Sequence, residues 1–442
     1  MREGAMQFEV DGPKGRGSRH GGARADADAR ELLPLAALIA AAPAGLTGTS
    51  PAGVRNAVQL IAYTEHLQEI VRRSGQVELL AGAATAAKRA RREAGSERPL
   101  QAAALLSSAE VQRLGFVLFA DAGGADEARV QAQAVLALDP PPLISVRAKA
   151  LLARLDGALA LAADDRHSVI EAAERLEVSF KAASLLNAPG SETAALLTDR
   201  ADLLLGIGAG RCDRPLLASV AIELAVLVRD LDPARLPLSW MRAETLRGQA
   251  LTALGEVAGD AASIAEGAAA LKAAVAAATP QHSPLDAARA SHALGLAQQA
   301  MGEACEEEVL FDRAVQAFGS ALQTLDPASA LPFRSIVAHD GAVCLARRAE
   351  RRGDLKALEQ AEAAFRKALK TRNAALDPLA WAVTQVALAR IYEAQSALRP
   401  DTGERADAAF ALASAIDVFS ERGLRTLSTA ALSSLDRLKE RA

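Results

Sequence analysis

Aromatic side chains are nearly missing, since phenylalanine, tyrosine and tryptophan together make up 3% of the 442 residues. Strand-rich proteins lean on aromatic and β-branched residues, and no stretch here alternates apolar with polar for long. Sheet architectures are thereby disfavoured. Cysteine is also scarce: Cys212, Cys305 and Cys344 are odd in number and far apart. That is no disulfide framework, it points to a reducing compartment, and the three read as small buried apolar side chains. No charge of one sign dominates, the net being −4. A dedicated nucleic-acid binder carries a strong basic surplus, so no nucleic-acid partner is expected.

Motifs of chemistry are absent too. The histidines are His20, His66, His167, His282, His292 and His339, and none forms H-E-x-x-H or a Cys/His cluster with zinc spacing. No P-loop, no GxGxxG after a strand and no GxSxG elbow occurs. The glycine-rich string from Gly206 to Arg211 follows a leucine-rich helical run and reads as a helix stop. Glu303, Glu306, Glu307 and Glu308 around Cys305 read as a solvated acidic turn. Two basic clusters, Lys88-Arg89-Arg91-Arg92 and Arg347-Arg348-Arg351-Arg352, lack the interleaved aromatics that stack on bases. The expectation is a protein that is not an enzyme and needs no cofactor or metal.

Residues 1–30 are rich in Gly, Arg, Ala and Asp, with little to bury, and read as a disordered tail. Leu32 to Ala42 is apolar but about half the length that spans a bilayer. It reads as a short packing helix in a cytoplasmic protein with no membrane span. The alternative is the apolar part of an export signal, against which stand Pro34 and the acidic Asp26, Asp28 and Glu31 before it.

What is present is helix-forming material: half of the chain is hydrophobic, much of it Ala and Leu. Proline supplies a ruler. Pro51, Pro99, Pro142, Pro189, Pro237, Pro284, Pro332 and Pro378 follow one another at a mean spacing of about 47 residues. Proline suits the first turn of a helix, where its missing N–H would be unpaired and its φ is already helical. Each therefore opens a first helix, A, with Ser50, Ser283 and Asp377 as candidate N-caps. Gly255, Gly302 and Gly353 read as stops for helix A, and Gly248 and Gly295 as points of close helix approach. Helix B has its own signature, A-x-x-x-F-x-x-A-L. It occurs at Ala314, Phe318, Ala321 and Leu322, again at Ala361, Phe365, Ala368 and Leu369, and in part at Ala406, Phe410 and Ala413. Spacings of three and four put these residues on one helical face, from which phenylalanine can wedge between two A helices. One further period reaches a closing helix over Leu424 to Leu438.

The glycine near the end of helix A, the alanine and phenylalanine pattern of helix B and the proline opening the next unit resemble tetratricopeptide repeats in an extended form. A HEAT- or armadillo-like array, with a similar period, is the alternative fold, against which the alanine and phenylalanine pattern of helix B argues. The resemblance is good over Leu236 to Gly423 and weaker upstream, where Leu176 and Phe180 hint at a helix B. It implies an all-α, right-handed superhelical solenoid of antiparallel helical hairpins, with A helices lining a concave groove. Residues 31–138 form an N-terminal segment of degenerate repeats, and 139–442 a regular array with a capping helix. Asp139 to Pro142 marks the boundary.

A solenoid of this kind implies a scaffold or adaptor that binds another protein or a peptide in its groove. Glu244, Ser291, His339 and Gln385 each lie seven residues after their prolines, with Thr245 and His292 beside the row. They are the candidate peptide-binding groove. Trp240 and Trp381, at equal offsets in helix A, read as core residues. The second functional reading is a regulatory sensor with a small ligand inside the superhelix.

Overall fold

The computed structural model describes residues 28–40, 56–277, 279–371, 378–399, 403–421 and 425–440. Those residues are helical throughout, with no strand among them. A 3₁₀ turn, Arg30–Leu32, and a short helix, Leu35–Ala40, come first. Eight helical hairpins follow, each an A helix and a B helix: α1 (Ala57–Ser74) with α2 (Val77–Glu93), α3 (Arg98–Phe119) with α4 (Ala122–Ala137), α5 (Pro142–Ala162) with α6 (Arg166–Leu185), and α7 (Gly190–Gly210) with α8 (Arg214–Asp230). The others are α9 (Pro237–Ala258) with α10 (Ala261–Ala277), α11 (Pro284–Cys305) with α12 (Glu308–Thr324), α13 (Leu331–Arg352) with α14 (Leu355–Thr371), and α15 (Pro378–Leu398) with α16 (Glu404–Glu421). Helix α17 (Arg425–Glu440) closes the array. From α7 onward the A helices begin at 190, 237, 284, 331 and 378, a constant step of 47 residues.

The local reasons are visible in the sequence. Pro142, Pro237, Pro284 and Pro378 are the first residues of their helices, Pro99 and Pro332 the second, and Pro189 the N-cap of α7. Ser283 caps α11 by accepting the Asp286 N–H at 3.4 Å. Pro51, Ser50 and Asp377 lie outside the described residues. Sequence reading did not single out Asn56, Asp165 and Asp213, which cap α1, α6 and α8 through their side chains.

The wedge expected from helix B is present. Phe318 on α12 is 2% exposed and sits against Gly295 of α11 and Gly341 of α13, two successive A helices. A Cβ at Gly295 would stand 2.8 Å from the Phe318 ring. Gly248 and Gly267 play a similar part between α9 and α10, where each faces the other's carbonyl oxygen at under 3 Å from a virtual Cβ. The repeat in α16 differs from the sequence reading. Phe410 is 75% exposed, and Leu412, one period after Phe365, takes the wedge position with Ala408 and Ala415 beside it. Two stop glycines also have another role. Gly255 and Gly302 lie inside their helices, where Ile264 and Phe311 press on them. The stops are Gly259 and Glu306, both left-handed, whereas Gly353 does end α13 at φ 61°. Likewise α7 runs through Gly206 and Gly208, which leave room for Leu161 and Leu217, and ends at Gly210.

Cysteine placement departs from expectation. Cys344 is buried, and burial pushes its thiol up to about 12. Cys212 and Cys305 are exposed, because both fall at helix ends beside left-handed turns. Trp240 and Trp381 are half-buried and pack against apolar clusters. Helix α3 is long and apolar enough to cross a membrane, and half of that window is buried.

The array turns back on itself. Helix α11 contacts α1, and α13 contacts α3, so five hairpins complete one superhelical turn. The seam is apolar and backbone-bonded. Val71, Leu114 and Leu118 from the first turn join Leu285, Ala288 and Val337 from the second in one buried cluster. The Ala330 N–H donates to the Gly75 carbonyl at 2.8 Å, and a Cβ on Gly75 would stand 2.7 Å from that of Ala330. Gly75 has φ 71°, so any side chain there is strained as well as crowded. An apolar cluster of Ala102, Val135 and Ala148 spans the turn from Asp139 to Pro142.

Candidate functional site

The closed turn encloses a channel with a cavity of ≈ 790 Å³. Its walls are A helices, α1 through α13, edged by Arg30 and Glu31. Counting from the first helical residue, one face repeats, at the fifth, eighth, ninth and twelfth following positions. On α7 these are Ala195, Thr198, Asp199 and Asp202, and on α9 they are Arg242, Thr245, Leu246 and Gln249. Offsets of three, four and seven are neighbours on one side of a helix. Each step of one residue rotates the side chain by about 100°, which explains where the expected ladder falls.

Of the candidate groove residues, His292 and its neighbour Thr245 line the channel. Glu244 does not. It is buried and turned toward Arg247, whose guanidinium donates to it at 2.8 and 2.9 Å and also reaches Glu266 on α10. Ser291 is buried and off the lining. His339 lines a second cavity of ≈ 810 Å³ between α13, α15 and α17, edge-on to Phe365. Gln385 is half-buried and lines neither. None of the four residues of the row itself lines the channel, and only Thr245 and His292, beside the row, do. His292 is itself held: its Nε2 lies 2.7 Å from Asp340 Oδ2, and its ring packs against Phe318 and Phe333.

The channel's main feature, missed in the sequence, is charge. Eight arginines face eight carboxylates along its walls. Most are paired, and two of the pairs recur in one register. Arg147 on α5 grips Glu192 on α7 through two bonds of 2.8 and 2.7 Å. Arg242 on α9 holds Asp286 on α11 with two nitrogens on one oxygen, Oδ2, at 2.9 and 2.6 Å. In both, the arginine is the fifth residue after its helix start and the acid the second after the next. The fork on Glu192 fixes geometry as well as charge. Arg154 reaches Asp199 at 2.5 Å, and Arg113 chelates Glu110 at 2.9 and 2.7 Å. Burial would push the Glu110 carboxyl up, but the charge and hydrogen bonds of Arg113, with Arg72 behind, hold it at about 2. Arg residues at one offset in α5, α9 and α11 (Arg147, Arg242, Arg289) were the readable signal.

Two carboxylates differ. Glu65 on α1 and Asp202 on α7 face the channel without an ion pair among the described residues. Asp202 is exposed to the channel space, but the helices around that space desolvate it and Asp199 adds like charge, so its carboxyl is pushed up to about 6 against the opposing field of Arg289. Glu65 is raised by desolvation, opposed by Arg147 and Arg30. A cation reaching either would relieve that cost.

The features read as separate on the outer side meet one another. The acidic turn around Cys305 lies beside the basic end of α13: Arg352 bonds Glu308 at 3.0 Å and Arg347 lies 3.8 Å from Glu303. Lys88, Arg91 and Arg92 are exposed on α2.

No protein-family model matches the chain, and no curated protein matches it. Solved structures similar in outline include a Rap protein complexed with competence and sporulation factor, at 12% identity over 86% of this chain and 98% of that one, with a TM-score of 0.47. Another is aspartyl phosphate phosphatase F from Bacillus subtilis, at 11% identity over 88% and 95%, with a TM-score of 0.42. A third is a circular tandem repeat protein with novel repeat topology, at 15% identity over 87% and 96%, with a TM-score of 0.28. All three scores are below one half, so the fold rests on the hairpins themselves.

Proposed function

We propose that the protein is a non-enzymatic interaction scaffold that takes a peptide or partner helix in the channel. One observation carries this reading: A helices in successive repeats present the same four positions to a single cavity. A register of that kind suits a polymeric ligand, whose groups also recur. The lining mixes apolar side chains, such as Leu106, Ile144, Leu246 and Phe333, with paired charges and with Thr198, Thr245 and Gln249. Peptide grooves need both kinds of contact. Glu65 and Asp202 fit a basic side chain on that peptide.

The cavity also falls within the volume range of small-molecule sites, roughly 300–1,000 Å³. A metabolite panel that raised the melting temperature would favour the sensor reading. The direct test of the scaffold is affinity purification of the tagged protein beside a Leu246→Arg, Gln249→Arg variant. Both residues are half-buried on the channel wall. A partner held by the normal protein should fall at least tenfold in the variant, at a temperature where its helical circular dichroism still matches that of the normal protein. Equal recovery of that partner would remove the channel as its site.

A further inference from the structure

The chain already places one of its own segments on the rim of this channel. Asp28 accepts the N–H groups of Gly190 and Ser191 at 3.1 and 2.9 Å and the Ser191 hydroxyl at 2.8 Å. Three residues on, Glu31 accepts the N–H groups of Leu238 and Ser239, both at 3.0 Å, and the Ser239 hydroxyl. Both donor sets lie at the N-termini of A helices in successive repeats, the first two residues of α7 and the second and third of α9, each set the two residues after its proline. Free N–H groups and the helix dipole favour an anion there, and a serine hydroxyl adds a third donor. A spacing of three puts the two carboxylates on one side of a helical turn. The third helix in line, α11, carries Asp286 two residues after its proline, where the chain has serine after Pro189 and Pro237, and so lacks the hydroxyl donor. There the segment changes contacts: the Leu35 N–H donates to the Gln281 carbonyl at 2.7 Å, and His282 Nε2 lies 3.2 Å from the Leu32 carbonyl.

The grip is polar rather than apolar. Leu38 is 2% exposed, but Leu32, Leu33 and Ile39 are each more than a third exposed. Segments with few buried apolar contacts open more readily than a packed core, and the further hold on this one is polar too, from fully buried Arg73 on the Arg30 and Leu33 carbonyls at 3.0 and 3.1 Å.

We propose that residues 28–40 are a releasable latch, an internal pseudo-ligand that holds one mouth of the channel shut until it lets go of the N-termini of α7 and α9. This rests on the scaffold reading for what release exposes, but the rim's affinity for an acidic turn stands separately. A partner segment with two carboxylates three residues apart has the chemistry to take the latch's place.

The test uses the full chain with Asp28→Ala and Glu31→Ala, and a fluorescent synthetic peptide of residues 24–40 as the probe. The vacated rim should bind the peptide at least tenfold more tightly than the normal protein, whose own latch competes. A peptide carrying the same two alanines should not bind. Amide exchange should quicken at Gly190, Ser191, Leu238 and Ser239, and not across the array as general unfolding would cause. If the double variant does not fold, Asp28→Ala alone, at a half-buried position, gives the same result in smaller measure. Equal binding to normal and variant protein, or undiminished binding of the alanine peptide, overturns the latch. Loss of channel binding by Leu246→Arg, Gln249→Arg is a separate outcome, so the two readings fail independently.

Discussion

Phe318→Ala is expected to cost about 3–5 kcal/mol of stability, the usual range for emptying a fully buried phenylalanine site. The ring fills the space between α11 and α13, and Gly295 and Gly341 have no side chains with which to collapse into it. In a repeat array the loss concentrates on neighbouring units. Urea unfolding followed by circular dichroism should therefore show an early transition for this region, or a lower single midpoint. Phe318→Leu should cost roughly half as much or less, because Leu412 occupies the same repeat position two periods on. A cost for alanine below about 1 kcal/mol would mean that the wedge does not hold the hairpins together.

Arg73→Ala has the second large effect. Arg73 is fully buried, at 0% exposure. Its Nε donates to Glu69 at 2.6 Å, and its two terminal nitrogens donate to the Leu33 and Arg30 carbonyls at 3.1 and 3.0 Å. Removing one partner of a buried pair costs about 3–5 kcal/mol, because the other charge stays behind. Arg72, also on Glu69 at 2.6 Å, moderates that figure toward its lower end. Burial alone would raise the Glu69 carboxyl, but Arg72 and Arg73 hold it below its ordinary value. A depressed carboxyl stabilises the fold above the unfolded carboxylate range, and that contribution is lost as pH falls through the folded value. The gap in melting temperature between normal protein and variant should thus be widest near neutral pH and narrow below about pH 4. Arg73→Lys should recover only part of it, since one ammonium cannot match the planar fork. A gap that does not change with pH would show that the charge on Glu69 is not the cause.

The array was legible in the sequence because its signals are local. Proline at a helix start, glycine at a close approach and phenylalanine on helix B each depend on neighbours within one repeat. What was lost is what depends on rotation or distance. Choosing the seventh position after each proline instead of the fifth, eighth, ninth and twelfth turned the reading from the channel toward buried flanks. That is why Glu244 and Ser291 are packed away while Arg242 and Thr245 face the channel. Phe410 misled in the same way, since a phenylalanine two residues out of register points to solvent. The latch was invisible for another reason. Asp28 and Glu31 sit in a composition with little to bury, and their partners lie 162 to 208 residues away. Only closure of the superhelix brings them together.

On the proposed reading the A helices, and not the B helices, receive the partner. That reading is tested most directly by a photo-crosslinking amino acid placed at Gln249, on the channel wall of α9, and in parallel at Val178, 67% exposed on the outer helix α6. Expressed in the native cell, the Gln249 probe should capture a discrete polypeptide, with the bond mapping to one short stretch of it, and the Val178 probe should not. Capture of that polypeptide at Val178 and not at Gln249 would contradict the account and place recognition on the convex face.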